Sequence, residues 1–269
     1  MKKEKRRSKE KKQEEREMQE AEETKAGDSK EEKNLLPSFH RIARIRNDFP
    51  EKFGIPRQSG LVEELEALII FEPEYRNPEA LRGLEEYSHI WLIWEFSESV
   101  LEKWSPTVRP PRLGGNTRMG VFATRSPFRP NPIGLSSVCL EAIEQHPEYG
   151  HVLRVRGADL MNGTPILDIK PYLPHVDSHP DARGGFSRQF QDYGLQVEIP
   201  EQWLEKVPEQ KRAALAGVLA NDPRPAYQKD PERVYGLSFA GLTVRFRVSE
   251  NVLTVCEIQQ EGKKEKYEL

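Results

Sequence analysis

Residues 133–143 read Ile133-Gly134-Leu135-Ser136-Ser137-Val138-Cys139-Leu140-Glu141-Ala142-Ile143, a strand-forming run set between Asn131-Pro132 and Pro147. Runs of the same character recur on both sides, at 39–46, 65–71, 89–96, 118–124, 151–156 and 165–172. They are rich in Val, Ile, Phe, Trp and Thr and are bounded by Gly, Pro and Asn, as strands are. Only one short helix is expected among them, over 78–87, with Pro78 at its start. Strands this numerous with so few crossover helices pair antiparallel, in a barrel or a sandwich. The fold class is therefore mainly β within an α+β chain, and the first folded domain spans 36–175.

Beyond it, residues 176–192 are rich in Pro, Gly and charge and read as a linker. Residues 193–269 form a small α+β domain, with a helix over 208–220 and two final strands at 242–248 and 252–258. Ser249-Glu250-Asn251 joins those two strands as a hairpin. At the other end, residues 1–33 carry 12 Lys/Arg and 11 Asp/Glu with no aromatic residue and no Val, Ile or Leu. Such a segment cannot bury enough apolar surface to offset its conformational entropy, so a charged, flexible arm is expected. Its acids distinguish it from a mitochondrial presequence. Without the arm the chain keeps 29 basic and 33 acidic residues, a net charge of −4 that gives no global sign of a polyanion partner.

Cys139 and Cys256 stand far apart in apolar runs, which predicts buried free thiols and a reducing, cytoplasmic setting. The longest apolar stretch, residues 90–94, is far too short to span a membrane, and no signal-peptide pattern opens the chain.

Local charge is more informative. Residues 103–140 hold Lys103, Arg109, Arg112, Arg118, Arg125 and Arg129 and not one acid, in a chain otherwise rich in acids. An arginine patch without counter-charges suits a polyanion, because the guanidinium binds phosphate in a planar, bidentate way. The same arginines could instead pair with glutamates distant in sequence. Two stretches of this segment, 109–116 (RPPRLGGN) and 126–134 (SPFRPNPIG), alternate fixed and free backbone. Ordered loops of this kind serve as ligand platforms, their ordering cost already met.

Asn162-Gly163 is a hairpin-turn dipeptide between two strand-like runs. His175, Asp177, His179 and Asp181 alternate like metal ligands, but in a Pro-rich loop where a two-residue period does not define a face, so no metal is expected. There is no HExxH, no paired CxxC, no Gly-x-Gly-x-x-Gly after a strand and no sequence evidence for a nucleophilic triad, which argues against the commonest hydrolases, zinc deaminases and dinucleotide enzymes.

Six motifs together resemble one family: 51–58 (EKFGIPRQ), 84–91 (LEEYSHIW), 109–124 (RPPRLGGNTRMGVFAT), 125–134 (RSPFRPNPIG), 162–173 (NGTPILDIKPYL) and 222–227 (DPRPAY). In this order they resemble the TsaA-like, or YaeB-like, tRNA (adenine-N6)-methyltransferases over residues 38–258. The resemblance implies an S-adenosylmethionine-dependent enzyme that methylates N6 of N6-threonylcarbamoyladenosine at tRNA position 37, next to the anticodon. It also implies a β-barrel followed by a smaller domain, and a homodimer. Carried over residue by residue, it places Pro56, Arg57, Gln58, Phe96, Ser97, Arg125, Leu135, Asn162, Gly163, Thr164 and Pro165 around the cofactor. Phe96 and Ser97 match by position in the strand, and Asn162 stands where some relatives have Asp.

For the substrate, the acid-free run nominates Arg109, Arg112, Arg118 and Arg129 for tRNA phosphates or the threonyl carboxylate, with Tyr227 stacking on a base of the anticodon loop. Asp159 and Asp168 are conceivable proton acceptors, and no general base is assigned. The alternative is a non-catalytic RNA- or nucleotide-binding barrel, against which the intact loop motifs speak.

Overall fold

The computed structural model describes residues 39–99, 104–191, 193–225, 228 and 230–262. The charged arm, Lys103 and Tyr227 lie outside the described residues. The described residues from 41 onward belong to one compact unit.

Eight strands belong to the first half: β1 (Ala43–Arg46), β2 (Glu66–Phe71), β3 (His89–Glu95), β4 (Thr107–Val108), β5 (Met119–Gly120), β6 (Ile133–His146), β7 (Gly150–Arg156) and β8 (Pro165–Pro171). Six of them pair in the order β1-β2-β7-β6-β3-β8, and β8 returns to β1, so the sheet closes as a barrel. Every pairing around the ring is antiparallel. Alternate residues point inward, and Ile45, Ile69, Ile90, Leu92, Val138, Leu153, Val155 and Ile166 fill the interior at 1% exposure or less. Each such side chain contributes roughly 1.5–3 kcal/mol by leaving water.

The antiparallel ring has a consequence for the loops. The C-terminal ends of β1, β3 and β7 and the N-terminal ends of β2, β6 and β8 share one rim. The three excursions at that rim are 47–65, 96–132 and 157–164. They contain all eleven residues that the resemblance places at the cofactor, except Leu135 and Pro165, which stand among the first three residues of strands leaving the same rim.

The second half contains helix α1 (Pro174–Asp177), strand β9 (Gln196–Glu198), helices α2 (Glu201–Leu204) and α3 (Glu209–Ala220), and strands β10 (Tyr235–Phe239), β11 (Leu242–Ser249) and β12 (Val252–Gln260). Its sheet runs β10-β11-β12-β9, with β9 parallel to β12. Helix α3 buries Ala214, Leu215, Val218 and Leu219, one face at helical spacing. Their cluster is completed by Phe49, Val62 and Leu65, which come from the loop between β1 and β2. The Phe49 ring lies 5.3 Å from that of Phe239, and Ala240 N–H donates to the Asp48 carbonyl at 3.0 Å. The loop that begins at the barrel rim is thus anchored in the second core.

Several sequence expectations change in detail. The strand expected over 118–124 shrinks to Met119–Gly120 followed by a 3-10 turn at Val121–Ala123. The helix expected over 78–87 is two short 3-10 turns, Pro78–Leu81 and Leu84–Glu86, broken at Arg82-Gly83. Asn162-Gly163 does not make a hairpin: β7 and β8 never pair, and the turn crosses the rim from one side of the ring to the other. Cys139 and Cys256 are free but half-buried. Among the described residues no helix is long and apolar enough to cross a membrane.

Candidate functional site

At the rim the three excursions are tied to one another by polar contacts. Lys52 Nζ donates to Ser99 Oγ at 2.9 Å and to the Glu98 carbonyl, joining the first loop to the turn after β3. The Arg125 guanidinium donates to Gln58 Oε1, and the Gln58 amide donates to the Arg57 carbonyl. Asn162 N–H donates to the Phe49 carbonyl at 2.9 Å, Asn47 N–H donates to Asn162 Oδ1 at 3.1 Å, and Gly163 N–H donates to the Ile45 carbonyl at 2.8 Å. The residues expected at the cofactor are therefore gathered at one end of the barrel. Phe96 joins them by donating its N–H to the Pro132 carbonyl at 2.8 Å.

Two glycines are required by this geometry. Gly163 has φ +83°, left-handed backbone at the crossing turn, and open space lies where a Cβ would stand. Gly134 faces the Trp94 indole so closely that a Cβ would come within 2.5 Å of three ring atoms. The indole fills that space, stacks at a tilt on Phe96 with ring centroids 4.2 Å apart, and donates to Ser136 Oγ at 3.0 Å. Ser136 passes the chain on, donating to Asp159 Oδ1 at 2.6 Å. Burial pushes the Asp159 carboxyl above the usual range, and the Ser136 hydroxyl and the Arg125 charge oppose that shift only in part. Asp168 sits apart, on β8, where it pairs with Lys170 at 2.9 Å.

The expected substrate arginines do not all behave alike. Arg109 and Arg118 are exposed. Arg129 is bent onto its own loop, donating to the Thr124 and Ser126 carbonyls at 3.2 and 3.4 Å. Arg112 turns inward, donates to the Phe190 carbonyl at 3.2 Å, and lies with Arg57 in a cavity of about 240 Å³. Among the described residues none of these arginines, nor Arg125, forms an ion pair with a carboxylate. The acid-free segment also exposes aromatic surface: Trp104 and Phe122 stack at 6.3 Å, with 50% and 73% exposure.

Asp177 of the alternating His/Asp run has structural partners, accepting from Trp91 Nε1 at 2.9 Å and Leu173 N at 2.8 Å. Among the described residues no group of three His, Cys, Asp or Glu side chains converges as a metal site would require.

Sequence reasoning missed the partners of Asp222. Its carboxylate receives Arg224 through Nε at 2.8 Å and Nη2 at 3.0 Å, and Tyr193 Oη at 2.6 Å. The DPRPAY motif marked the segment, but nothing in the sequence linked it to Tyr193 or to Arg57.

Comparison with known proteins agrees with this architecture. Residues 44–178 match the family model described as the tRNA-methyltransferase O N-terminal domain, and residues 192–261 match the TrmO C-terminal domain. The tRNA (adenine(37)-N6)-methyltransferase of Escherichia coli K12 is 43% identical over 220 residues, covering 79% of this chain and 93% of that protein. A Pseudomonas aeruginosa protein whose name describes an S-adenosylmethionine-dependent methyltransferase, RcsF, has the same identity and coverage. The crystal structure of TrmO from Pseudomonas aeruginosa superposes with a TM-score of 0.69 at 34% identity, covering 84% of this chain and 98% of that one. With both domain models matched in chain order and the fold shared, the chain belongs to the tRNA-methyltransferase O family.

Proposed function

We propose that this protein is a tRNA methyltransferase that transfers a methyl group from S-adenosylmethionine to N6 of the adenine at position 37, beside the anticodon. The observation that carries the reading is the rim, where three loops locked together hold the PRQ, RSPFRPNPIG and NGTP segments in one place. The finer parts of the proposal are an N6-threonylcarbamoyladenosine substrate, the closed barrel as the cofactor-binding domain, a homodimer and a cytoplasmic setting.

The rim residues suit the cofactor. Leu135 is a large apolar side chain left 55% exposed, Gly163 offers open main chain, and Arg125 presents a guanidinium. These match an adenosyl face, its polar edge and an amino-acid carboxylate respectively. Pro56, Arg57, Gln58, Phe96, Ser97, Asn162, Thr164 and Pro165 would complete the pocket. When bound, S-adenosylmethionine supplies a methyl group on a cationic sulfur, open to in-line displacement.

The protein's own work is alignment and exclusion of water, which in favourable cases correspond to effective molarities of about 10⁵ M or more. Thr164, 5% exposed and bonded through Oγ1 to the Met161 carbonyl at 2.7 Å, stiffens the crossing turn for that task. Asp159 and Asp168 are both held by neighbouring groups, and neither is assigned as proton acceptor.

Arg125→Ala is expected to weaken S-adenosylmethionine binding at least tenfold, the loss of one charge-assisted hydrogen bond of about 1.5–3 kcal/mol. Calorimetric titration measures it, and an unchanged Kd would remove Arg125 from the pocket. For the RNA, Arg109 and Arg118 supply exposed cations, while Trp104 and Phe122 offer stacking surface for unpaired bases. The double variant Arg109→Ala, Arg118→Ala should lower tRNA affinity and reduce the magnitude of the salt slope by about 1 for each phosphate no longer neutralised.

The decisive assay incubates purified protein with labelled S-adenosylmethionine and bulk tRNA, with and without prior threonylcarbamoylation, followed by nucleoside mass spectrometry. Label recovered as an N6-methylated adenosine at position 37 is the expected result. Absence of label in both tRNA pools would overturn the proposal.

A further inference from the structure

Next to the rim, where the loop between β1 and β2 meets the second half of the chain, the cavity of about 240 Å³ is lined by Arg57, Arg112, Arg224, Asp222, Tyr193 and Phe190. Its charges do not balance. Asp222 is committed to Arg224 in a bidentate pair and also accepts from Tyr193, so it is not left for the other two guanidiniums. Arg57 donates through Nη2 to the carbonyls of Asp222 and Arg224 at 3.5 and 3.2 Å. Arg112 donates through Nη1 to the Phe190 carbonyl at 3.2 Å, and its guanidinium lies 5.2 Å from the centre of the Phe190 ring and 5.7 Å from that of Tyr193. Among the described residues three cations thus face one anion, and the two in excess are fixed in direction by main-chain carbonyls and aromatic faces.

Withdrawing guanidinium groups from water without a counter-ion is unfavourable, so a structure that orders two of them together is arranged for an anion. Each guanidinium carries five N–H donors, and the carbonyl contacts occupy only one nitrogen of each, leaving the remaining donors for a ligand. Burial lowers the Arg57 pKa, and the facing Arg112 charge lowers it further; an oxyanion between the two would offset both by favouring the charged guanidinium.

The size of the cavity limits its occupant. At about 240 Å³ it is smaller than the roughly 300–1,000 Å³ of sites that hold drug-sized ligands. The whole cofactor exceeds it, whereas a single acid group with a short carbon body does not. Phe190 and Pro225 supply apolar wall for that body.

We infer that this cavity is an oxyanion site for the tRNA substrate, in which Arg57 and Arg112 grip one acid group and Tyr193, Asp222 and Arg224 hold its floor in place. The inference rests on the functional reading above and deepens it. The loop that contributes to the cofactor pocket through its main chain would, through the Arg57 side chain, also sense the substrate. Two sources supply the same chemistry: a carboxylate on a modified target base, or a backbone phosphate of the anticodon loop.

Arg112→Ala and Arg112→Lys, compared with the wild type on tRNA bearing threonylcarbamoyl at position 37 and on tRNA with unmodified adenine there, test it. The readouts are KM, kcat and tRNA affinity by fluorescence anisotropy at several salt concentrations. A carboxylate occupant predicts that Arg112→Ala raises KM for the acid-bearing tRNA at least tenfold, leaves kcat within about threefold, and erases the preference over unmodified tRNA; Arg112→Lys recovers part of the loss. A phosphate occupant predicts an equal loss on both tRNAs and a salt slope smaller in magnitude by about 1. Unchanged KM and affinity on both tRNAs, in a variant whose circular dichroism matches the wild type, would overturn the inference. If Arg112→Ala fails to fold, Arg112→Lys keeps the charge but loses the planar donor pair, and it is read in the same way. Wild-type protein that transfers no methyl to either tRNA would sink the functional reading instead, and the anisotropy comparison would still decide the cavity.

Discussion

Replacing Asp222 with Ala is expected to cost about 3–5 kcal/mol of folding free energy, the penalty for stranding one partner of a buried ion pair. Both side chains of the Asp222–Arg224 pair are only 10% exposed, so water cannot replace the missing carboxylate. Tyr193 Oη loses its acceptor at the same time. Asp222 also has φ +49°, a left-handed conformation that Asp tolerates better than Ala. Urea unfolding at neutral pH measures the difference, and a loss below about 1 kcal/mol would refute this account of the pair.

The pH dependence has a definite sign. Burial alone would raise the Asp222 pKa, but the hydrogen bonds from Arg224 and Tyr193 outweigh it and hold the carboxyl below its ordinary value. A carboxylate with a depressed folded pKa adds stability that is complete above its unfolded pKa and is lost as pH falls through the folded one. Wild-type protein should therefore lose stability on the acid side, beginning in the ordinary carboxylate range and continuing below it. Asp222→Asn should be less stable at neutral pH and show a flatter acid limb.

The second large effect is expected at Phe49. Its side chain is 1% exposed, tilted on Phe239 in the cluster that α3 and the C-terminal sheet enclose. Phe49→Ala should destabilise by about 3–5 kcal/mol through forfeited transfer energy and the cavity left behind. Here stability and activity are coupled, because Phe49 also offers its carbonyl to Asn162 and begins the loop that carries Arg57 and Gln58. Methyl transfer should fall even at temperatures where the variant remains folded. Phe49→Leu, which fills most of the volume, should recover most of both. Full activity in a folded Phe49→Ala protein would show that the anchor does not position the rim.

Local pattern made much of this fold legible. Strand-forming runs bounded by Gly, Pro and Asn marked all six barrel strands to within a few residues, because alternation across a sheet with one buried face leaves a two-residue period. The short strands β9 and β10 escaped, being three and five residues long and, in β10, containing Gly236. Residues 118–124 misled because β-formers there support a turn rather than a ladder. Asn162-Gly163 was correctly a turn, but a dipeptide cannot report which strands flank it in space. The arginine segment was visible as composition. Its division between outward Arg109 and Arg118, self-capping Arg129 and inward Arg112 was not, since it depends on carbonyls up to 78 residues away. The Arg57 contact to Asp222 spans 165 residues, beyond any spacing rule.

The long hairpin of β6 and β7 carries its turn to the end of the barrel opposite the three rim loops. By strand rise that turn stands about 20 Å from the loops along β7 and about 40 Å along β6. Glu148, exposed at its tip, is a natural anchorage for a dye or a surface tether. Protein immobilised there would present the rim loops outward, so that RNA arrival could be tested one molecule at a time.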